Sequence, residues 1–474
     1  MPLLHADRLF PADPETRRIA RRIFSEIGGL PILSPHGHTD PRWFAEDSPF
    51  PDPTALFLLP DHYILRMLYS QGIAMETLRE GADPQKAQEI WRLFAAHYHL
   101  FRGTPTRLWL DYAFQELFGL EVRLSKESAD LYWETISNKL ATKDFRPRAL
   151  YDRFHIEVLA TTDSALDDLK AHAAIRNSGW NGRVIPTFRP DAVVDPEFAG
   201  FRANLAKLGA LTGEDTSRWN GYLSALIARR QFFKRHGATA TDHGHPTAST
   251  INLSRAETET LFRRVTRTDE PSPADAELFR AQMLSEMARM SVEDGLVMQL
   301  HVGSFRNYNP VLFAKWGRDQ GADIPTPTNY VQALHPLLAR YGSEPGFQLI
   351  LFTLDEATFS RELAPLAGHY PSVILGPPWW FLDSPEGMLR FRQHVTETAG
   401  FYNTAGFNDD TRAFLSIPGR HDVARRMDAA YLAMLVADHR LEEDEALETA
   451  RDLTGSLVRR AYKLDAPNRS TSVS

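Results

Sequence analysis

Apolar positions near the start of the chain form one helical stripe. Ile19, Ile23 and Ile27 recur every four residues behind Asp13 and Pro14, a cap and a first-turn proline, and Gly28-Gly29 stops the run. A stretch that is apolar on both faces follows at 30–33, the pattern of a buried parallel strand. From 43 to about 150 the pattern changes. DHYILRMLYSQGI, QKAQEIWRLFAAHYHLF and TRLWLDYAFQELFGL read as aromatic-rich amphipathic helices with no strand between them. This is a helical insertion after the first strand, suited to act as a lid.

Strand and helix patterns then alternate. Short apolar or β-branched runs occur at IEVLATT (156–162), RVIPTF (183–188), ATATD (238–242), LVMQLH (296–301), FQLILFTL (347–354), VILG (373–376) and YNTAGF (402–407). With 30–33 these make eight strands separated mostly by helical patterns. The expected class is α/β, a (β/α)8 TIM-like barrel with a helical insertion after strand 1. The competing arrangement is an open doubly wound sheet, but no glycine-rich phosphate loop follows any strand. The expected division is 1–42 for the first helix and strand 1, 43–150 for the insertion, 151–466 for the rest of the barrel, and a polar tail at 467–474.

Composition narrows the chemistry mainly by exclusion. The chain has 474 residues, with 53 basic and 61 acidic side chains and a formal net charge of -8. Nothing in that balance resembles a nucleic-acid footprint. There is no cysteine, so a transition-metal site must be built from His, Asp or Glu. No signal-peptide core or membrane-span pattern stands out, and the expectation is a soluble cytoplasmic protein that binds no membrane.

In a barrel, function gathers where strands end. Those positions carry His36 and His38, Thr162 and Asp163, Arg189, Asp242 and His243, His301 with Arg306 in the loop beyond, Trp379 and Trp380, and Asp409, Asp410 and Arg412. His36 and His38 are two apart on an extended segment, so both imidazoles point to one side. An isolated His-x-His is a weak signal, more often a polar loop than a metal site. Closure of a barrel brings strand eight beside strand one, and Asp410 then completes a His, His, Asp set suited to Zn²⁺ or a similar divalent ion.

The segments PILSPHGHTD, DHYILRMLYSQG, FRPRALYDRFHIEVLATTD, VIPTFRPD, DHGH, MQLHVGSFRN, PPWWFLDSPEGM and DDTRAFLSIPGRHDVARR, in that order, resemble the uronate isomerase (glucuronate isomerase) family of the amidohydrolase superfamily. The residue between the two histidines is usually cysteine in that family and is Gly37 here. The resemblance implies reversible isomerisation of D-glucuronate to D-fructuronate, and of D-galacturonate to D-tagaturonate. It implies one divalent metal ion, with zinc expected, on His36, His38 and Asp410. Tyr63 is the implied base, with Arg412 beside it favouring the phenolate. His62 orients the site or holds a substrate hydroxyl, and Asp410 also relays a proton. Arg189, His301, Trp380 and Arg306 are implied substrate contacts. A small-molecule uronate is the expected partner, and a homo-oligomer the expected assembly. A metal-dependent hydrolase or decarboxylase of the same superfamily is the alternative, although it does not explain DHY or the arginines. A non-enzymatic sugar-acid binding protein is a more remote one.

Overall fold

In the computed structural model, which describes residues 3–465, seven strands form one parallel sheet. They are β1 (Ile32–Ser34), β2 (Ile156–Ser164), β3 (Val184–Arg189), β4 (Ala240–His243), β5 (Val297–His301), β6 (Leu349–Phe352) and β7 (Val373–Leu375). Each pairs with the next in chain order. A doubly wound sheet reverses its order at a switch point; this one has no reversal, which removes the doubly wound alternative. The tail expected at 467–474 lies outside the described residues.

The sheet curls. On β2, Val158 and Ala160 point to one face and Leu159 to the other, the two-residue alternation of a strand. Val158 and Ala160 share one core cluster with Leu33 of β1, Ile185, Ala240, Val297 and Ile350. Inner-face residues from both ends of the sheet therefore meet. Val458, Ala461 and Tyr462 of the helix Leu457–Tyr462 join that cluster.

The run expected as an eighth strand is reduced to a single bridge. Thr404 pairs with Leu375, whose N–H donates to Asn403 O at 2.9 Å and whose carbonyl accepts from Ala405 N–H at 2.8 Å. The ladder stops there because Gly406 turns into left-handed backbone at φ 75°. On the other side, His38 N–H donates to Thr411 O at 3.0 Å.

Between β1 and β2 the chain is helical, as the aromatic pattern implies. Trp91, Phe94, Phe114 and Tyr132 are fully buried in one cluster, and Trp91 Nε1 donates to Ala129 O at 3.0 Å. The first helix, Pro14–Ile27, is capped by Asp13, which accepts Thr16 N–H at 2.8 Å. Its isoleucine stripe packs with Ala429, Leu432 and Ala433 of the long helix Ile417–Ala437. No helix among the described residues is long and apolar enough to cross a membrane.

Candidate active site

A cavity of about 290 Å³ opens at the carboxyl ends of the strands, and every residue to which the resemblance gives a role borders it. Its walls carry unusual backbone. Asn307, Asp319, Trp380 and Asp410 all have positive φ, between 37° and 63°, although none is glycine. Conformations of this kind persist where the surroundings dictate them and gather at functional sites.

The segment after β1 is held on both sides. Gly37 O accepts from Thr162 Oγ1 at 2.9 Å, and His38 N–H is taken by Thr411 O. His36 and His38 consequently aim at Asp410, their Nε2 atoms 3.4 and 3.1 Å from its Oδ1. That oxygen is buried and has no hydrogen-bond partner of good geometry. Two imidazole nitrogens crowding one carboxylate oxygen without a proper hydrogen bond suit a cation held between lone pairs. The donor set fits a divalent metal. A second buried set, His36, Asp242 and His301, shares His36 with the first.

His301 stacks on His36, ring centres 4.6 Å apart, and its Nδ1 lies 2.6 Å from Asp242 Oδ1. The other oxygen of Asp242 is 3.0 Å from Arg189. Burial alone would raise the Asp242 carboxyl, but Arg189 and His301 outweigh it and hold it well below the usual carboxylate range. Asp242 therefore fixes two expected contact residues at once. Its place at the end of β4 is legible in the sequence, but this role is not. His243, from the same strand end, is buried away from the cavity, with Nε2 3.1 Å from Thr241 Oγ1.

Three arginines differ in how far their charge is already answered. Arg189 meets both Asp191, at 2.8 Å, and Asp242. Arg306 borders the cavity, 3.4 Å from Asp323 and with its guanidinium carbon 5.9 Å from the Trp380 ring centre. Arg412 is partly exposed and pairs with Asp319 at 3.0 Å. Asp191 opens the short helix Asp191–Val194 two residues past β3, and Asp319 and Asp323 lie in the long segment after β5; none of the three was anticipated.

Asp61 caps the helix His62–Ser70, accepting Tyr63 N–H at 2.8 Å, which puts His62 and Tyr63 in the first turn facing the cavity. His62 packs edge-on against Trp380, ring centres 5.3 Å apart. Burial and then Arg412 push the His62 imidazole down to about 3, so it is neutral near pH 7. For Tyr63, burial raises the phenol, and the opposing cation is Arg420. The resemblance puts Arg412 beside Tyr63; in the structure Arg412 pairs with Asp319, and the guanidinium carbon of Arg420 lies 5.7 Å from the Tyr63 ring centre. Arg420 lies on the helix Ile417–Ala437 rather than at a strand end, and GRHD is the local sequence around it.

A sequence profile described as glucuronate isomerase matches residues 15–459. The chain belongs to the glucuronate isomerase family. A uronate isomerase of Phenylobacterium zucineum is 62% identical over 471 residues, covering 98% of each chain. Among solved structures, glucuronate isomerase from Caulobacter crescentus superposes with a TM-score of 0.96 at 56% identity, covering 98% of each chain. Uronate isomerase from Thermotoga maritima gives 0.91 at 27% identity, covering 97% of this chain and 99% of that one. As a member of the glucuronate isomerase family, the chain is an isomerase, and the hydrolase alternative is not favoured.

Proposed function

We propose that this enzyme interconverts D-glucuronate and D-fructuronate, and D-galacturonate and D-tagaturonate, by proton transfer through a cis-enediol. The observation that carries the reading is the family match over 15–459, on a chain in which every residue given a role by the resemblance borders one cavity. In the forward direction the C2–H bond breaks and its proton passes to Tyr63, while the electron pair becomes the C1–C2 double bond and the carbonyl pair moves to O1. A proton moves from O2 to O1 by way of Asp410, the proton on Tyr63 returns to C1, and O2 becomes the carbonyl. Tyr63 must be a phenolate to begin, so a nearby guanidinium matters. Arg189 and Arg412 grip the anionic substrate, with Arg306 and His301 as further contacts, since a planar guanidinium matches a carboxylate. Trp380 walls the pocket against sugar C–H faces.

His36, His38 and Asp410 would hold one divalent ion, for which we take zinc. When bound, it serves as Lewis acid and template for the substrate oxygens. The helices at 43–150 act as a lid that excludes water from the enediol. The bridge at Thr404 and the His38–Thr411 hydrogen bond support reading residues 402–411 as the eighth stave of a closed barrel. Exposed Phe305, Tyr308 and Val311 support a homo-oligomer; the same reading has the enzyme act in the cytoplasm.

The test is to incubate the purified protein with glucuronate and galacturonate separately and follow ketose formation. Lactones and amides serve as controls. Turnover of a lactone or amide with no ketose from either uronate would replace this reading with the hydrolase.

A further inference from the structure

Two aspartates stand side by side after the run expected as an eighth strand, and only Asp410 meets the histidines. Asp410 has φ 37°, a left-handed backbone that an aspartate keeps only where its surroundings dictate it. On its far side Thr411 O accepts His38 N–H at 3.0 Å. On its near side the hold is on Asp409. The Oδ2 atom of Asp409 lies 3.1 Å from His421 Nε2, and both side chains are buried. The Asp409 carbonyl accepts from Arg420 Nη1 at a long 3.4 Å. Phe407 packs edge-on against the His421 ring, centres 5.0 Å apart, as expected for residues 407 and 409 on one side of an extended segment. Asn408, on the opposite side, donates to Tyr462 OH at 2.9 Å.

We propose that Asp409 and His421 are positioning residues for the metal site. His421 donates from Nε2 to Asp409 and holds that carboxylate away from the cavity, so that Asp410 is the one aspartate of the pair presented to His36 and His38. The proposal rests on Asp410 being a metal ligand. Asp409 and His421 touch neither the ion nor the substrate; they act through the backbone that carries Asp410.

The helix that bears His421, Ile417–Ala437, is also tied to the other half of the ligand set. Arg425, one turn further on, donates to Gly28 O at 2.9 Å and to Pro31 O at 2.8 Å, at the root of β1. The isoleucine stripe of the first helix packs on the same helix through Ala429, Leu432 and Ala433. The other oxygen of Asp409 faces Gly37, between the two histidines, where an added methyl would lie 3.5 Å away. One rigid element therefore spans both sides of the site. It braces the strand that leads to His36 and His38, and through His421 it braces the segment that leads to Asp410. A ligand held by such an outer partner keeps its direction without the ion.

The experiment measures the Zn²⁺ dissociation constant of the full-length protein by competition with a chromophoric chelator, together with the Tm of the metal-free protein. His421→Phe keeps a ring and removes the donor. It should weaken Zn²⁺ binding by about 10- to 100-fold, the usual effect of losing an outer partner of a metal ligand. His421→Gln puts an amide N–H at similar reach and should recover most of that affinity. Asp409→Ala should weaken binding as His421→Phe does, and the two together should cost little more than either, because they remove one and the same bond. Wild-type affinity in a folded His421→Phe overturns the proposal, as does His421→Gln binding no better than His421→Phe. A lower metal-free Tm with an unchanged dissociation constant also overturns it, since a packing role alone gives that result. If His421→Phe does not fold, His421→Asn, too short to reach Asp409, decides: weakened Zn²⁺ binding supports the proposal and wild-type affinity removes it. Asp410→Ala runs alongside. Zn²⁺ held by that variant as tightly as by the wild type would bring down the ligand assignment itself, a failure distinct from a misplaced support.

Discussion

Two glycines in histidine-glycine-histidine runs behave differently at the scale of single residues. A methyl group on Gly37 would meet Asp409 Oδ1 at 3.5 Å and carbonyl oxygens at 3.6 Å, ordinary contact distances. At Gly244 it would run into Arg189 and lie 2.9 Å from Asp191 Oδ2. Gly37→Ala should therefore keep near wild-type kinetics, and Gly244→Ala should raise KM for uronates, by about tenfold or more if displacing Arg189 costs at least ~1.4 kcal/mol. Equal KM values in the two variants would contradict this. Asp163 makes a second prediction. Its carboxyl accepts from Thr161 Oγ1 at 2.7 Å, yet burial pushes it up to about 7 from 3.8. Its neighbour His172, lowered to about 4 by burial, is neutral above that pH and gives no compensating charge. The folded state binds this proton more tightly than the unfolded one, so the contribution to stability is full below about pH 4 and is lost as pH rises through 7. The loss is on the order of 4 kcal/mol at most. Asp163→Asn should flatten the fall in Tm between pH 5 and 8, and an unchanged slope would count against it. Neither feature is legible in a string of letters, because both depend on which atoms lie within about 4 Å.

Segments distant in the chain meet at the scale of elements. The helix bearing His62 and Tyr63 abuts the long loop after β5, where Gly321 has φ 74°. A Cβ on Gly321 would lie 2.8 Å from both His62 O and Arg66 Cβ. Arg79 and Gln320 hydrogen-bond across the same seam, and Lys315 pairs with Glu76 at 2.5 Å. Gly321→Ala should therefore shift the helix that carries Tyr63 and lower kcat by roughly tenfold or more, since small misplacements of a catalytic group are costly. The metal content should stay unchanged, because His36, His38 and Asp410 lie elsewhere. Wild-type kcat would show that the seam does not set the position of Tyr63. The helices themselves were legible: caps such as Asp13 and Asp61 and the aromatic stripes are local signals. The seam was not, because glycine in a loop reads the same whether it faces solvent or another backbone.

The whole molecule places its candidate metal ligands where the sheet is weakest. β1 and β2 pair along a ladder with one register shift at Ile32–Leu33, whereas residues 402–411 reach the rest of the sheet through one bridge and the His38–Thr411 hydrogen bond. A cation shared by His36, His38 and Asp410 would tie those two sides together. Chelation should lower Tm, by the equivalent of about 3–4 kcal/mol if the ion is present at 100 to 1,000 times its dissociation constant. His36→Ala combined with His38→Ala should reduce metal content and remove the response to chelator; an equal response in that variant would contradict the assignment. The parallel alternation, the helical character of the stretch between β1 and β2 and the residue types at the strand ends were determined by sequence alone, since periodicity and turn chemistry are local. The family was legible too, in motifs spread from 31 to 426. Only the folded chain decided that Asp242 holds both Arg189 and His301, that Arg412 answers Asp319, and that Arg420 lies beside Tyr63. The physical reason is that an ion pair depends on distance through space. Tyr63 and Arg420 are 357 positions apart in the chain, and nothing in the periodicity of either helix records that the curled sheet brings them together.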